Sequence, residues 1–248
     1  MLILYVFLYI IEMSDNDNDS KRRHKMQKEY FNKVAERGQL IVISGPSGVG
    51  KKTIIKEYLK DHPNAVRCTS ITTRPQRPDE VDGVDHYFVS HEEFDQLIRS
   101  NQMLEFGYYR RNGYGTIRNA VEQLRQKGHN VILELDIVGA MKVRTLCPDS
   151  TLVFLIPPTW DDLKTRIHNN KFISENEIEE RLEVAKEEVL CADQYDYILI
   201  NDTVEDTVRR LAQIIHANRY GQSSMKSFLK SYIESEIQSE LVDVIRSL

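Results

Sequence analysis

Residues 45–53, GPSGVGKKT, constrain the fold of this chain more than any other stretch. They match the phosphate-loop pattern G-x-x-x-x-G-K-[ST] through Lys51 and then depart from it, because Lys52 stands where a Ser or Thr is expected. The preceding run, QLIVIS, has the apolar, β-branched character of a buried parallel strand. KKTIIKEYLKDH follows with apolar residues at helical spacing. The order of strand, glycine-rich loop and helix therefore predicts a phosphate site, in which backbone N–H groups and the Lys51 ammonium face the anion.

Three further apolar runs, NVILELD, STLVFLIPP and YDYILIND, alternate with helical patterns at 117–127 and 178–190. This alternation predicts a three-layer α/β/α fold around a parallel sheet. Polar residues at the carboxyl ends of the strands, Glu134, Asp136 and Asn201, are expected at the edge where such sheets bind ligands. Helix capping explains Asp202 well and explains the pair Glu134 and Asp136 poorly.

The stretch TSITTRPQRPDEVDGVDHYFVS, residues 69–90, carries two arginines that each precede a proline. Proline disfavours helix at the residue before it, so Arg74 and Arg77 are expected in extended or polyproline geometry, with both guanidinium groups on one side. Two such forks suit a phosphate dianion. A proline-rich surface loop with solvated arginines is the alternative for this stretch taken alone.

Several short motifs follow one another along residues 38–218. ISGPSGVGK, TTRPQRPDEVDG, FVS, LEFGYYRRNGYGT, LELD followed by GA, FLIPP and ND have the order and spacing of guanylate kinases, and the chain resembles that family over residues 38–218. The resemblance implies a P-loop nucleoside monophosphate kinase with a GMP-binding subdomain at about 69–125 and a helical lid at about 160–190. It also implies transfer of the γ-phosphoryl group of ATP to GMP, with Mg²⁺ as cofactor, to give ADP and GDP.

The resemblance assigns roles by position. The residues expected to face guanine are Ser70, Glu105, Thr116 and Asp136, and those expected to hold the GMP phosphate are Arg74, Arg77 and Tyr114. The wider GMP site adds His86, Tyr87 and Glu134. The ATP site comprises Gly45, Pro46, Ser47, Gly48, Val49, Gly50, Lys51, Lys52, Thr53 and Asn201, with Asn201 beside the adenine. The catalytic cations are Lys51, Arg74, Arg166 and Arg181, the last two from the lid. No protein metal ligand is assigned.

Two departures from the family pattern lie near the phosphates. Lys52 replaces the common hydroxyl, but related kinases often have glycine there and Thr53 supplies a hydroxyl next to it. The loop is therefore expected to be competent, with an added cation that changes metal affinity. Glu134 replaces an aspartate near the metal and keeps its charge on a longer arm.

Two further departures concern the GMP site and the lid. His86 stands where the family has a phosphate-binding tyrosine, with Tyr87 next to it. Either His86 takes over that contact, or a local shift presents Tyr87, or His86 only packs at the domain edge. In the lid, Asn170 occupies an arginine position beside Lys171, so one transition-state cation is expected to be weaker or absent.

Two other functions stay open. The first alternative is a catalytically weakened guanylate-kinase-like binding module, and the second is a kinase for another nucleotide. Such modules usually lose the loop lysine and the glycine pattern, so the retained Lys51, Arg74, Arg77 and Arg166 favour the enzyme. A carboxylate facing guanine N1–H and N2–H₂, with hydroxyls facing O6, is expected to favour GMP over AMP.

The rest of the chain limits partners and location. A formal net charge of −5 provides no overall attraction to nucleic acid, and three cysteines fit neither a disulfide framework nor a metal knuckle, so we expect the cytoplasm. Residues 1–37 are expected to form an extension that is apolar over its first eleven residues and disordered in the polar run after them. A misassigned start before Met13, an anchor and a packed segment all remain open, although stable membrane association is not expected. Residues 219–248 predict a helical tail, and monomer and homodimer stay open.

Overall fold

A computed structural model describes residues 37–169, 175–221 and 229 of the chain. The strands are β1 Leu40–Ser44, β2 Ala65–Arg67, β3 Ile71–Thr72, β4 Tyr87–Phe88, β5 Met103–Tyr109, β6 Asn112–Ile117, β7 Asn130–Glu134, β8 Thr151–Ile156 and β9 Tyr197–Ile200. The α-helices are α1 Lys51–Asp61, α2 His91–Arg99, α3 Arg118–Gln126, α4 Ile137–Leu146, α5 Trp160–His168, α6 Glu175–Leu190 and α7 Val204–Asn218, with a 3₁₀ turn at Ala192–Gln194. The predictions for residues 1–36, for Asn170 and Lys171, and for most of the carboxyl-terminal tail lie outside the described residues.

The main sheet is parallel, with strand order β2-β7-β1-β8-β9. Its central strand β1 is buried along its whole length, as expected for a strand covered on both faces. Ile41 and Ile43 pack into a core with α1, α5 and α7, whereas Leu40 and Val42 pack into a second core with α3 and α4. The predicted three-layer α/β/α architecture is confirmed.

A smaller sheet, with strand order β4-β3-β6-β5, is inserted between β2 and β7. Its strands β5 and β6 form an antiparallel hairpin, and a separate small core of Ile71, Phe94 and Met103 lies beneath it. Helix α2 supplies Phe94 and begins at a capping box formed by Ser90 and Glu93. The inserted sheet falls within the region 69–125 predicted to bind GMP, and the boundaries of that subdomain remain a prediction.

No helix in the described ranges is long and apolar enough to cross a bilayer. The thiols of Cys68, Cys147 and Cys191 are free.

Arg125 ties the amino-terminal end of β1 to the rest of the core. Its side chain is only 4% exposed, and its guanidinium pairs with Asp149 at the turn before β8. Its Nε donates to the carbonyl oxygen of Gly38 at 2.9 Å. The charge is therefore buried with partners on two other segments, and removing it leaves both partners unsatisfied.

We expect Arg125→Leu to lower the free energy of unfolding by about 2–4 kcal/mol, because the Gly38 carbonyl and the Asp149 carboxylate lose their partner. Urea denaturation followed by circular dichroism measures this loss. Arg99→Leu, at an exposed position near the end of α2, is the control and should change stability by less than about 0.5 kcal/mol. Equal effects of the two substitutions would show that the Arg125 contacts do not stabilise the fold.

Candidate active site

The glycine-rich loop leaves β1 and enters α1 at the carboxyl edge of the main sheet. Gly45, Gly48 and Gly50 have φ angles of 139°, 82° and 103°, which side-chain-bearing residues rarely adopt. At Gly45 a Cβ atom would lie 2.3 Å from the carbonyl oxygen of Leu155, so the loop passes against β8 with no room for a side chain. The predicted loop conformation follows from these two constraints.

The ammonium of Lys51 folds back over this loop. Its Nζ donates to the carbonyl oxygens of Gly45 at 2.6 Å and Pro46 at 3.3 Å. Burial lowers the pKa of Lys51 below its ordinary value, and three nearby carboxylates oppose that shift; they belong to Glu134, Glu188 and Asp136. The lysine is thus a buried cation whose partners in this structure are loop carbonyls.

The two predicted lid arginines also reach the loop. Arg166 on α5 donates to the carbonyl oxygens of Val49 at 3.1 Å and Asn201 at 2.9 Å. Arg181 on α6 donates to the Ser47 hydroxyl at 3.1 Å. Asn201 is itself 6% exposed and donates through Nδ2 to the Val49 carbonyl at 2.7 Å. The structure therefore brings Lys51, Arg166, Arg181 and Asn201 together around one loop.

A second group of predicted residues meets on the inserted sheet. Glu105 and Thr116 lie opposite each other in the β5–β6 ladder, at an irregularity in register between Met103 and Glu105. The Thr116 hydroxyl donates to Glu105 Oε1 at 2.6 Å, and both side chains are buried. Burial raises the pKa of Glu105 to about 7, which the Thr116 hydrogen bond opposes. A buried carboxyl group with so raised a pKa is typical of a functional position.

Of the two neighbours His86 and Tyr87, the structure presents His86 to the predicted guanine contact. Ser70 Oγ lies 2.8 Å from His86 Nδ1, and the imidazole ring meets the Tyr114 ring edge to face at 6.1 Å. Tyr87 is 49% exposed, with its ring over Gly83. Burial and, less strongly, the Arg74 charge lower the pKa of His86. A neutral ring can accept from Ser70 at one nitrogen and keep a donor on the other.

Arg74 is held by a carboxylate that our sequence reasoning did not single out. Its guanidinium donates two hydrogen bonds to Glu80, at 2.9 and 2.8 Å, and lies 5.7 Å from the Phe88 ring centre. The hydrogen bonds from Arg74 lower the pKa of Glu80 to about 2. Arg77 is exposed, and its backbone N–H donates to Glu80 at 3.0 Å. The only sequence signal for this contact is the acid six residues after Arg74.

Asp136 is a helix cap, contrary to our interpretation that capping explains it poorly. Its Oδ1 accepts from the backbone N–H of Gly139 at 2.7 Å and so begins α4. A Cβ atom at Gly139 would lie 3.0 Å from Glu105 Oε2 and 3.3 Å from Asp136 Oδ1. The start of α4 therefore sits directly against the Glu105 carboxyl group, and Gly139 provides the space for it.

Lys52 does not turn toward Glu134 or the loop carbonyls. Its Nζ donates to Asp85 Oδ1 at 3.0 Å, which links α1 to the turn before β4. Arg67, at the end of β2, donates to the carbonyl oxygens of Val84 and Asp85 in the same turn. No role was assigned to Arg67 or Asp85 from the sequence.

A cavity of about 490 Å³ lies at the opposite, amino-terminal edge of the main sheet. Its lining includes Arg37, Leu104, Arg118 and Cys147 and none of the predicted site residues. Arg125, which also lines it, is already satisfied by Gly38 and Asp149. We place the functional site at the carboxyl edge, where the loop glycines and the buried charges converge.

The sequence and the structure of this chain were compared with those of known proteins. Residues 37–218 match the family model described as guanylate kinase. A guanylate kinase of Lactococcus lactis subsp. lactis is 44% identical over 187 residues, 75% of this chain and 91% of the relative. One from Synechococcus sp. is 40% identical over 190 residues, 77% of this chain and 88% of the relative. The crystal structure of guanylate kinase from Anaplasma phagocytophilum superposes with a TM-score of 0.64 at 29% identity, covering 82% of this chain and 96% of that one. The chain belongs to the guanylate kinase family.

Proposed function

We propose that this protein transfers the γ-phosphoryl group of Mg-ATP to GMP and releases ADP and GDP. The observation that carries the proposal is the buried Glu105 carboxyl group, paired with Thr116, in a chain that keeps its phosphate loop and Lys51. Relatives that are 40% and 44% identical are guanylate kinases, which supports the same activity here. The binding-module alternative has no comparable support, because the loop glycines, Lys51 and both described lid arginines are present.

Guanine recognition follows from an exchange of hydrogen bonds at Glu105. Guanine offers N1–H and N2–H₂ as donors, which an ionised Glu105 accepts, while Asp136 lies beside it. In the structure Glu105 already accepts from the Thr116 hydroxyl. Because a hydroxyl proton rotates freely, guanine donors that take over Glu105 release the Thr116 proton for O6. Ser70 supplies a second hydroxyl for the same oxygen once its proton turns from His86 Nδ1 to O6.

The GMP phosphate is held by a comparable exchange. Arg74 is preorganised by Glu80 and by the Phe88 ring, and a phosphate dianion replaces Glu80 as its bidentate partner. His86 and Tyr114, whose rings meet edge to face, add further donors for the phosphate. Arg77 is exposed and completes the set by moving toward the phosphate. Tyr87 is exposed and lies at the rim of the proposed GMP site.

Phosphoryl transfer needs positioning and positive charge more than covalent work by the protein. The loop N–H groups and Lys51 bind the ATP phosphates, and Asn201, which packs on the loop, lies beside the adenine. The guanidinium groups of Arg166 and Arg181 already contact the loop, so a short movement brings them to the transferred phosphoryl group. Each guanidinium group exchanges a protein oxygen for a phosphate oxygen, so it keeps a hydrogen-bond acceptor throughout.

A magnesium ion fits the donor set beside the loop. Glu134 ends β7 within electrostatic reach of Lys51, and Thr53 places a hydroxyl in the first turn of α1. Across residues 37–169 and 175–221, no three His, Cys, Asp or Glu side chains form a metal cage. That donor set suits Mg²⁺, which usually keeps waters and binds through substrate phosphates with one or two carboxylates. When bound, the ion neutralises charge on the β- and γ-phosphates.

The remaining partners are also part of the proposal. ATP and GMP are the substrates, and neither nucleic acid nor a membrane is needed for the reaction. Free thiols at all three cysteines are compatible with a cytoplasmic protein. The proposal holds for a monomer and for a homodimer alike.

An assay that couples ADP formation to a detectable reaction tests the activity directly. We expect Mg²⁺-dependent turnover with GMP and a kcat/KM for GMP about a hundredfold or more above that for AMP, the scale that missed polar contacts produce. Lys51→Ala should remove nearly all turnover while the protein stays folded, because the loop loses its phosphate cation. Lys56→Ala, on the exposed face of the same helix, is the matched control and should retain full activity.

The outcome that contradicts the proposal is also specific. Binding of GMP by calorimetry without any ADP formation would identify a binding module. Turnover with another nucleoside monophosphate, at a kcat/KM equal to that for GMP, would make Glu105 a structural residue.

The raised pKa of Glu105 makes GMP binding depend on pH. Guanine donors require the ionised carboxylate, so binding favours loss of the Glu105 proton and strengthens as pH rises through about 7. We expect the Kd for GMP to fall roughly tenfold between about pH 6 and 8 and then to level off. Isothermal titration calorimetry at several pH values measures the profile.

The GMP phosphate itself titrates, with a second pKa of about 6, so the profile needs a control. Glu105→Gln keeps the shape of the side chain and removes its titration, leaving only the phosphate contribution. An identical pH profile in Glu105→Gln and in the parent protein would rule out Glu105 as the titrating group.

Gly139→Ala tests the contact between α4 and the guanine carboxylate. The new methyl group would lie 3.0 Å from Glu105 Oε2, so the carboxyl group must shift by a few tenths of an ångström. We expect this strain to cost about 0.5–1.5 kcal/mol and GMP affinity to fall about two- to tenfold. Helix propensity favours alanine, and stability should not fall. Val138→Ala, at an exposed position on the same helix, should leave the Kd for GMP unchanged. An unchanged Kd in Gly139→Ala would place guanine elsewhere.

A further inference from the structure

Lys52 stands in the phosphate loop but contacts the other half of the site. It is the second residue of α1, its side chain is 69% exposed, and its Nζ donates to Asp85 Oδ1 at 3.0 Å. Asp85 is less exposed, at 20%. The lysine at the position of the usual loop hydroxyl therefore reaches out of the loop to the inserted subdomain.

Asp85 shapes the turn that it shares with Lys52. Its Oδ2 accepts from the Val81 backbone N–H at 3.0 Å, and its own N–H donates to the Val81 carbonyl at 3.0 Å. One carboxylate oxygen therefore closes the turn at 81–85 while the other accepts from Lys52. The Val81 N–H and then Lys52 lower the pKa of Asp85, so this group stays ionised.

The main sheet holds the same turn from a second direction. Arg67 donates through Nη2 to the carbonyl oxygens of Val84 at 2.6 Å and Asp85 at 3.2 Å. The Thr69 hydroxyl donates to the Gly83 carbonyl at 3.3 Å. With Arg67 fixed at the end of β2 and Lys52 at the start of α1, the turn is attached at two separate points.

The turn leads directly into the GMP site. His86 follows Asp85 in the chain, and its Nδ1 lies 2.8 Å from Ser70 Oγ. The backbone N–H of Gly83 donates to the His86 carbonyl at 2.8 Å, so the turn and the histidine move together. A displacement of Asp85 is therefore transmitted to His86 and Ser70 through one peptide unit and two hydrogen bonds.

We propose that Lys52 is a positioning residue for GMP: its ion pair with Asp85 holds the turn that carries His86, and so joins the phosphate loop to the GMP site. The inference rests on the proposed function. It explains how a lysine is accommodated at a position where family members use a hydroxyl or glycine, since its amine has a partner outside the phosphate cradle. The pair is partly solvated, and the expected effect is accordingly modest.

A double-mutant cycle on GMP binding tests the link. Lys52→Ala removes the cation, and Asp85→Asn removes the charge but keeps an oxygen for the Val81 N–H. We expect each substitution to raise the Kd for GMP, measured by calorimetry without ATP, about two- to fivefold. The double variant should bind no more weakly than the worse single variant, because both singles break the same link. Lys52→Arg should restore the Kd to within about twofold of the parent value.

A simple electrostatic role gives a different pattern. If the two charges act only on the GMP phosphate, Lys52→Ala weakens binding, Asp85→Asn strengthens it, and the effects add in the double variant. That result overturns the proposal. So does an unchanged Kd for GMP in both single variants. Lys56→Ala, at an exposed lysine one turn along α1, is the control and should leave the Kd unchanged.

The experiment distinguishes failure of the Lys52–Asp85 proposal from failure of the proposed kinase function. The parent protein is first shown to bind and phosphorylate GMP, and each variant is shown by circular dichroism to unfold at the parent temperature within a few degrees. A parent that does not bind GMP contradicts the proposed function. A parent that phosphorylates GMP, together with additive variants, contradicts only the Lys52–Asp85 link.

Discussion

The close approach of the glycine-rich loop to β8 is the constraint on which the rest of the site depends. Gly45 lies so near the Leu155 carbonyl that no side chain fits between them, and the loop must turn there into α1. That turn places Lys51 over the end of the sheet and presents the Val49 carbonyl to Arg166 and Asn201. Helices α5 and α6 and the end of β9 are therefore arranged around the path of one loop.

Several side chains predicted to bind substrate have hydrogen-bond partners within the protein. Lys51 rests on loop carbonyls, Arg74 on Glu80 and the Thr116 hydroxyl on Glu105. A buried cation or carboxylate without a partner is costly, so these internal contacts keep the site folded before substrate binds. Under the proposed function, these contacts hold the side chains near their binding positions, and substrate binding would exchange one hydrogen-bond partner for another.

The inserted sheet and the main sheet form one site because contacts cross between them. Lys142 on α4 donates to the Phe106 carbonyl on β5, and Gly139 lies against Glu105. On the other side, Lys52 and Arg67 hold the turn before β4. In the proposed reaction these contacts connect the ATP and GMP sites, because a relative movement of the two sheets would change them.

The sequence by itself determined the order of strands and helices and the position of the glycine-rich loop. The burial of β1 on both faces and the conformations of the loop glycines are local requirements, and adjacent residues are enough to specify them. It also indicated Glu105, Arg74 and Arg166, through motifs in the order of a family. Only the tertiary structure decided the partners: Glu80 for Arg74, Asp85 for Lys52, Ser70 for His86 and the capping role of Asp136. These contacts join segments from different elements, or depend on which way a side chain turns. Neither periodicity nor spacing along the chain specifies such distances.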